Sequence, residues 1–156
     1  MRLRRRAVLR DGRPLTATEL ARYSDHFDAA LLASVRVIDG RVPFWLRPDM
    51  NGVTLGDRIY LRRGVYDYTR LDGIELLGHE LVHVRQYREG MTVLRYLWAS
   101  RRGYRRNPYE VEAYAIGARI RAQACDQRAP ASPSTARATA SATSMPSTPA
   151  DMMPPA

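Results

Sequence analysis

The string His79-Glu80-Leu81-Val82-His83 constrains this chain more than any other. It uses two of the 3 histidines in 156 residues, and its spacing has a use only on a helix. Residues i and i+4 lie one above the other on a single helical face, so both imidazoles can reach one ion. The Glu80 carboxylate then falls beside the ion's open coordination position, as H-E-x-x-H on a helix requires. Zinc, which takes three protein ligands and a water in catalytic sites, is the expected metal. These residues point to metal-assisted hydrolysis, with Glu80 taking a proton from the attacking water and passing it to the leaving amine.

The flanking residues supply that helix. Asp72 reads as its N-cap with Glu75 three residues on, Gly90 as its stop, and Ile74, Leu77, Leu81 and Val84 as its apolar stripe. His79, His83 and Gln86 follow i, i+4, i+7 along another face. No histidine lies downstream, so the third ligand has to be a carboxylate. Asn107-Pro108 reads as the cap and first residue of a last helix over 108–124, which offers Glu110 and Glu112. Glu110 shares a row with Ala113, Tyr114 and Gly117, mostly small residues that let helices approach closely. Glu112 lines up with Ile116, Arg119 and Gln123, a more solvated row. We prefer Glu110 to Glu112 on the two-histidine-one-glutamate template. Each also has a purely helical use, Glu110 closing a capping box and Glu112 favouring the helix N-terminus by its charge.

Upstream, Thr16-Ala17-Thr18-Glu19 has capping-box form and predicts a helix over 17–24. Val35, Val37 and Ile38 suggest a strand over 32–38 that ends at Asp39-Gly40, and 42–46 reads as a returning edge strand containing Pro43. After the Asn51-Gly52 turn, 53–61 reads as a glycine-bulged strand or a tight hairpin. Alternation there puts Ile59 and Leu61 on one face and Arg58, Tyr60 and Arg62 on the other. A further helix over 92–99 carries Leu94, Leu97 and Trp98.

Three domains of composition follow: a basic segment (1–14), a folded unit (15–126) and an Ala/Pro/Ser/Thr-rich tail (127–156) too poor in apolar side chains to offset its ordering entropy. All 25 basic residues are arginine, against 16 acidic ones, for a net charge of +9. Such charge suits acidic partners, but no nucleic-acid-binding motif accompanies it, so a solvated surface is the preferred reading and a nucleic-acid partner is not expected. Cys125 is alone, which excludes an internal disulfide. The arginine-rich start has no apolar stretch before Asp11, and the apolar run near 91–99 is interrupted by Arg95. No membrane span is expected, and the cytoplasm is the expected location, with signal-independent export open. His26 is expected to make a local hydrogen bond. Tyr104, Tyr109, Tyr114 and nearby arginines are all chemically able to stabilise an oxyanion, and the sequence does not choose among them.

The segment Gly78-His79-Glu80-Leu81-Val82-His83-Val84-Arg85-Gln86 resembles the active-site helix of gluzincin-like zinc metallopeptidases. More narrowly, it resembles the metallopeptidase-like eCIS core domain associated with extracellular contractile injection systems. Phe27-Asp28, Val35-Arg36-Val37, Thr54-Leu55-Gly56, Ile59-Tyr60-Leu61 and Glu110-Val111-Glu112-Ala113 carry the likeness further, across roughly residues 20–120. The resemblance implies a small α+β zincin-like domain, with a short, mainly antiparallel sheet packed on the H-E-x-x-H helix and a glutamate helix. It implies that the first glutamate of E-x-x-A, Glu110, binds the metal with His79 and His83. Tyr114 stands where related groups often have Asp or Asn, so a hydroxyl replaces a carboxylate there. It also implies that a peptide or protein substrate lies along 58–61 as an added strand, with arginines on that face favouring acidic side chains. The expected function is zinc-dependent peptide hydrolysis with Glu80 as general base. The rival is a catalytically idle zinc-binding module that docks on a secretion or toxin assembly, and a nucleic-acid-associated protease ranks last.

Overall fold

Side chains that hydrogen-bond backbone set the first elements. Thr16 and Glu19 form a reciprocal capping box, with the Glu19 amide donating to Thr16 Oγ1 at 3.3 Å and the Thr16 amide to Glu19 Oε2 at 2.7 Å. Helix α1 (Ala17–Tyr23) starts there. Glu19 also takes both Arg13 guanidinium nitrogens, at 2.7 and 2.8 Å, and the Tyr66 hydroxyl. Burial alone would raise its carboxyl, but Arg13, Tyr66 and the Thr16 amide together bring it down to about 2. The structure, a computed structural model, describes residues 12–128. Apart from residues 12–14 and 127–128, the expected basic segment and tail lie outside the described residues.

Asp28 caps α2 (Ala29–Ser34), its Oδ1 accepting from the Leu31 amide at 2.7 Å. The strand expected over 32–38 is therefore shorter, β1 (Arg36–Asp39). A capped Ala-Ala-Leu-Leu run buries Leu31 and Leu32 from a helix as well as a strand would. The strand expected over 42–46 is not formed. Instead the Pro43 carbonyl closes a turn on Leu46, and the Arg62 guanidinium holds the Met50 and Arg47 carbonyls.

Strands β2 (Gly52–Leu55) and β3 (Arg58–Leu61) form the tight hairpin, turning at Gly56 with φ +66°. β1 pairs in parallel with β3, in the order β1-β3-β2. The sheet is thus mixed, one parallel and one antiparallel pair, and the segment 58–61 is central. The strand at the sheet edge beside the H-E-x-x-H helix is β2. Alternation in β3 holds, with Ile59 and Leu61 buried and Arg58 exposed.

Helix α3 (Leu71–Arg88) follows. Its N-cap is Arg70 without a side-chain bond, not Asp72, because Asp72 pairs instead with Arg121 and Arg70. It ends at Glu89 before Gly90 in the left-handed region. Helix α4 (Val93–Ala99) is capped by Thr92 and buries no residue. Two 3-10 turns, Ser100–Arg102 and Tyr104–Arg106, lead to α5 (Pro108–Asp126), whose cap is Asn107 and first residue Pro108.

α3 and α5 pack antiparallel, joined by Arg85–Glu112 (2.6 Å) at one end and by Arg121 with Asp72 and Glu75 at the other. Their approach is closest at Gly78, where a Cβ would lie 2.8 Å from Ile120 Cδ1; at Gly117 a Cβ would meet ordinary contacts, the nearest 3.4 Å away at the Glu75 carbonyl oxygen. Ile74, Leu77 and Leu81 are fully buried between α3, α5 and the sheet, worth about 1.5–3 kcal/mol each. The product is a small α+β domain. Among the described residues no helix is long and apolar enough to cross a membrane.

Candidate metal centre

The helical turn between His79 and His83 brings their Nε2 atoms to 3.1 Å. The close α3–α5 contact then sets Glu110, in the first turn of α5, against both rings. Its Oε2 lies 3.4 Å from His79 Nε2 and its Oε1 3.4 Å from His83 Nε2. All three side chains are buried. Among the described residues they are the one group of histidine, cysteine or acidic side chains placed to hold a metal.

The group fits a tetrahedral ion. Zinc bonds of ~2.0–2.1 Å separate neighbouring ligand atoms by about 3.3–3.4 Å along a tetrahedral edge. The observed separations of 3.1, 3.4 and 3.4 Å lie close to that edge. Glu110 Oε2 is also buried with no hydrogen-bond partner, since 3.4 Å to His79 is an electrostatic contact only. Such an orphan costs about 1–3 kcal/mol, which a cation at the centre removes. Burial would raise the Glu110 carboxyl, but His79, His83 and Tyr96 hold it well below the usual carboxylate range. Burial would lower His83, yet Glu110 and Glu80 outweigh it and raise the ring's pKa. The centre therefore carries an ionised carboxylate.

Glu112, the rival ligand, does not reach the centre. Its carboxylate takes Arg85 Nη2 at 2.6 Å and Gln86 Nε2 at 2.7 Å. Tyr114 sets its ring edge-on to His79, with centroids 4.6 Å apart. His26 lies outside the centre and makes a long-range contact instead of the local bond expected, its Nε2 2.5 Å from Gln123 Oε1 on α5, and Cys125 is an exposed thiol. Sequence reasoning missed Tyr96, whose hydroxyl donates to Glu110 Oε1 at 2.6 Å. Burial and Glu110 raise its pKa, so it stays a donor. The available signal was a tyrosine next to Arg95 inside the otherwise apolar run of α4.

Glu80, one step round the helix from His79, is buried and accepts from Thr54 Oγ1 of β2 at 2.7 Å. Gly52 makes room for it, since a Cβ there would come within 3.0 Å of Glu80 Oε1. These groups line a cleft of about 1130 Å³ between β2, α3 and α4. Trp45, Leu46, Met50, Val93 and Leu97 supply its apolar lining. Tyr104 and Tyr114 also line the cleft, whereas Tyr109 stacks on Tyr96.

The family model of the eCIS core domain matches residues 14–91, half of the chain. The matched span holds His79, Glu80 and His83 and stops short of Glu110. No curated protein and no solved structure matches the chain.

Proposed function

We propose that this chain, which belongs to the eCIS core domain family, is a zinc-dependent peptidase. The observation that carries the reading is the buried His79–His83–Glu110 group at tetrahedral spacing, with the Glu80 carboxylate beside it in an open cleft. Zinc held there supplies a water of pKa near ~7 and polarises a carbonyl.

The chain's own residues do the rest. Thr54 holds Glu80 by Oε2, which leaves Oε1 to receive the proton from the attacking water and return it to the leaving amine. β2 is the last strand of the sheet, so its outer backbone edge is available for an extended peptide to add antiparallel. Tyr104 lines the cleft with its hydroxyl's pKa raised by partial burial and by Glu110, which supports a role as donor to the tetrahedral oxyanion. Charge along the cleft sets a preference. Arg47 pairs with Asp49, and Arg121 neutralises Asp72 and Glu75. Arg105 and Arg106 line the cleft with no ion-pair partner among the described residues, so acidic side chains are favoured at that end. These two take the place of the arginines of 58–62, since β3 is central and Arg62 is held by backbone carbonyls.

The test is Glu80→Gln. It should keep zinc and lose about 10²–10⁴-fold of the cleavage rate on an unfolded protein; retained cleavage refutes the role. A second reading, an idle zinc-binding module that docks on a secretion or toxin assembly, is favoured by the exposed apolar face of α4, where Leu94 is 79% and Trp98 66% exposed. Zinc-loaded wild type that cleaves no unfolded protein selects that reading instead.

A further inference from the structure

The orientation of His83 is decided outside the metal centre, by a side-chain amide. Gln86, three residues on from His83, is 2% exposed, and its two ends have different neighbours. Nε2 lies 2.9 Å from the Tyr109 carbonyl oxygen and 2.7 Å from a Glu112 carboxylate oxygen. Both neighbours only accept, so the amide nitrogen has to face them and the amide oxygen has to face the other way. That oxygen is 2.8 Å from His83 Nδ1. An amide oxygen cannot donate, so Nδ1 carries the hydrogen, and a neutral imidazole has one to carry. Nε2 is then a bare lone pair, aimed at the space between Glu110 Oε1 and His79 Nε2.

We propose that Glu112 and Gln86 are positioning residues, a carboxylate–amide relay that fixes the His83 proton on Nδ1 and so presents Nε2 to the metal. Arg85 holds the far end by its 2.6 Å bond to Glu112. The relay gives Glu112 a use at the centre's outer side, although it is no ligand. It also supplies from position 112, through an amide, the orienting carboxylate that Tyr114 does not provide at 114. Without the acceptor, His83 is free to adopt the other tautomer, in which Nε2–H blocks coordination.

The inference rests on the reading that the triad holds a metal, and zinc itself is the probe. Zinc affinity of the full chain is measured by chelator competition in wild type, Gln86→Met, Glu112→Gln and the double variant. Gln86→Met keeps the side chain's length, removes the acceptor, and should weaken zinc binding by about 10–100-fold. Glu112→Gln should weaken it less, and should add nothing in the Gln86→Met background. Nitrogen-15 spectra of the metal-free protein, at a pH where the ring is neutral, should show the Nδ1–H tautomer in wild type and a mixture in Gln86→Met. A merely structural role leaves that tautomer balance unmoved. If Gln86→Met fails to fold, the tautomer in Glu112→Gln, altered at a half-exposed site, carries the test. Unchanged zinc affinity in Gln86→Met, an Nε2–H tautomer in wild type, or equal Glu112→Gln effects in both backgrounds overturns the relay alone. Wild type that takes no zinc overturns the metal reading with it.

Discussion

The two sides of the cleft are built differently. On one side α3 and α5 lie against each other at Gly78 and Gly117, bury Ile74, Leu77, Leu81 and Ile120, and neutralise their charges in pairs at both ends. On the other side α4 buries nothing, and the 41–50 loop leaves Phe44 fully exposed and Trp45 about half-exposed. α4 meets the centre through one side chain, Tyr96 on Glu110. The tightly packed side fixes the ligands of the candidate centre, and the loosely packed side offers apolar surface to whatever enters. Fixing an ion demands sub-ångström placement, which a close-packed interior supplies. Receiving varied side chains does not, and exposed apolar surface marks sites of interaction.

The comparison breaks most sharply in stability. Ile120→Ala empties a fully buried site between α3 and α5 and should cost about 2–5 kcal/mol in denaturant unfolding. Leu94→Ser on α4, where the side chain is exposed, should stay within about 0.5 kcal/mol. Equal costs would mean that α4 is covered in a way this division does not allow. Next in size is the one link between the sides. Tyr96→Phe removes the hydroxyl that donates to Glu110 and should weaken zinc binding by roughly tenfold, at the low end for an outer-shell partner. An unchanged zinc affinity would detach α4 from the centre altogether. The smallest effect belongs to the open end of the cleft. Arg105→Ala with Arg106→Ala should reduce any preference for acidic peptides by a factor of about 2–5, and salt should reduce the wild-type preference in the same way. A preference insensitive to both would place substrate charge elsewhere.

Features that depend on near neighbours in the chain were legible in the sequence. The Thr16–Glu19 box, the Asn107-Pro108 start and the pairing of His79 with His83 all rest on residues within one or two turns of each other. That Glu110 and not Glu112 faces the two histidines was legible too, because the small residues Ala113 and Gly117 mark which row of α5 faces another helix. What was not legible depends on distant competitors. Asp72 leaves its capping role for Arg121, 49 residues away. The strand beside the cleft is β2 because β1 takes the other side of β3, and pairing partners leave no mark on alternation within a strand. The apolar run at 31–38 suits either element type, and the Asp28 cap decides its first half. Tyr96 and Gln86 read as ordinary helix residues until α5 supplies the carboxylates that they bond.

Zinc content after exhaustive dialysis, measured on the purified full chain with Glu110→Ala and Glu112→Ala beside wild type, tests the central claim most directly. Stoichiometric zinc in wild type and, when saturated, in Glu112→Ala, with none retained in Glu110→Ala, is the expected result. Stoichiometric zinc in Glu110→Ala would contradict it, since the ion would then be held without the side chain that closes the site.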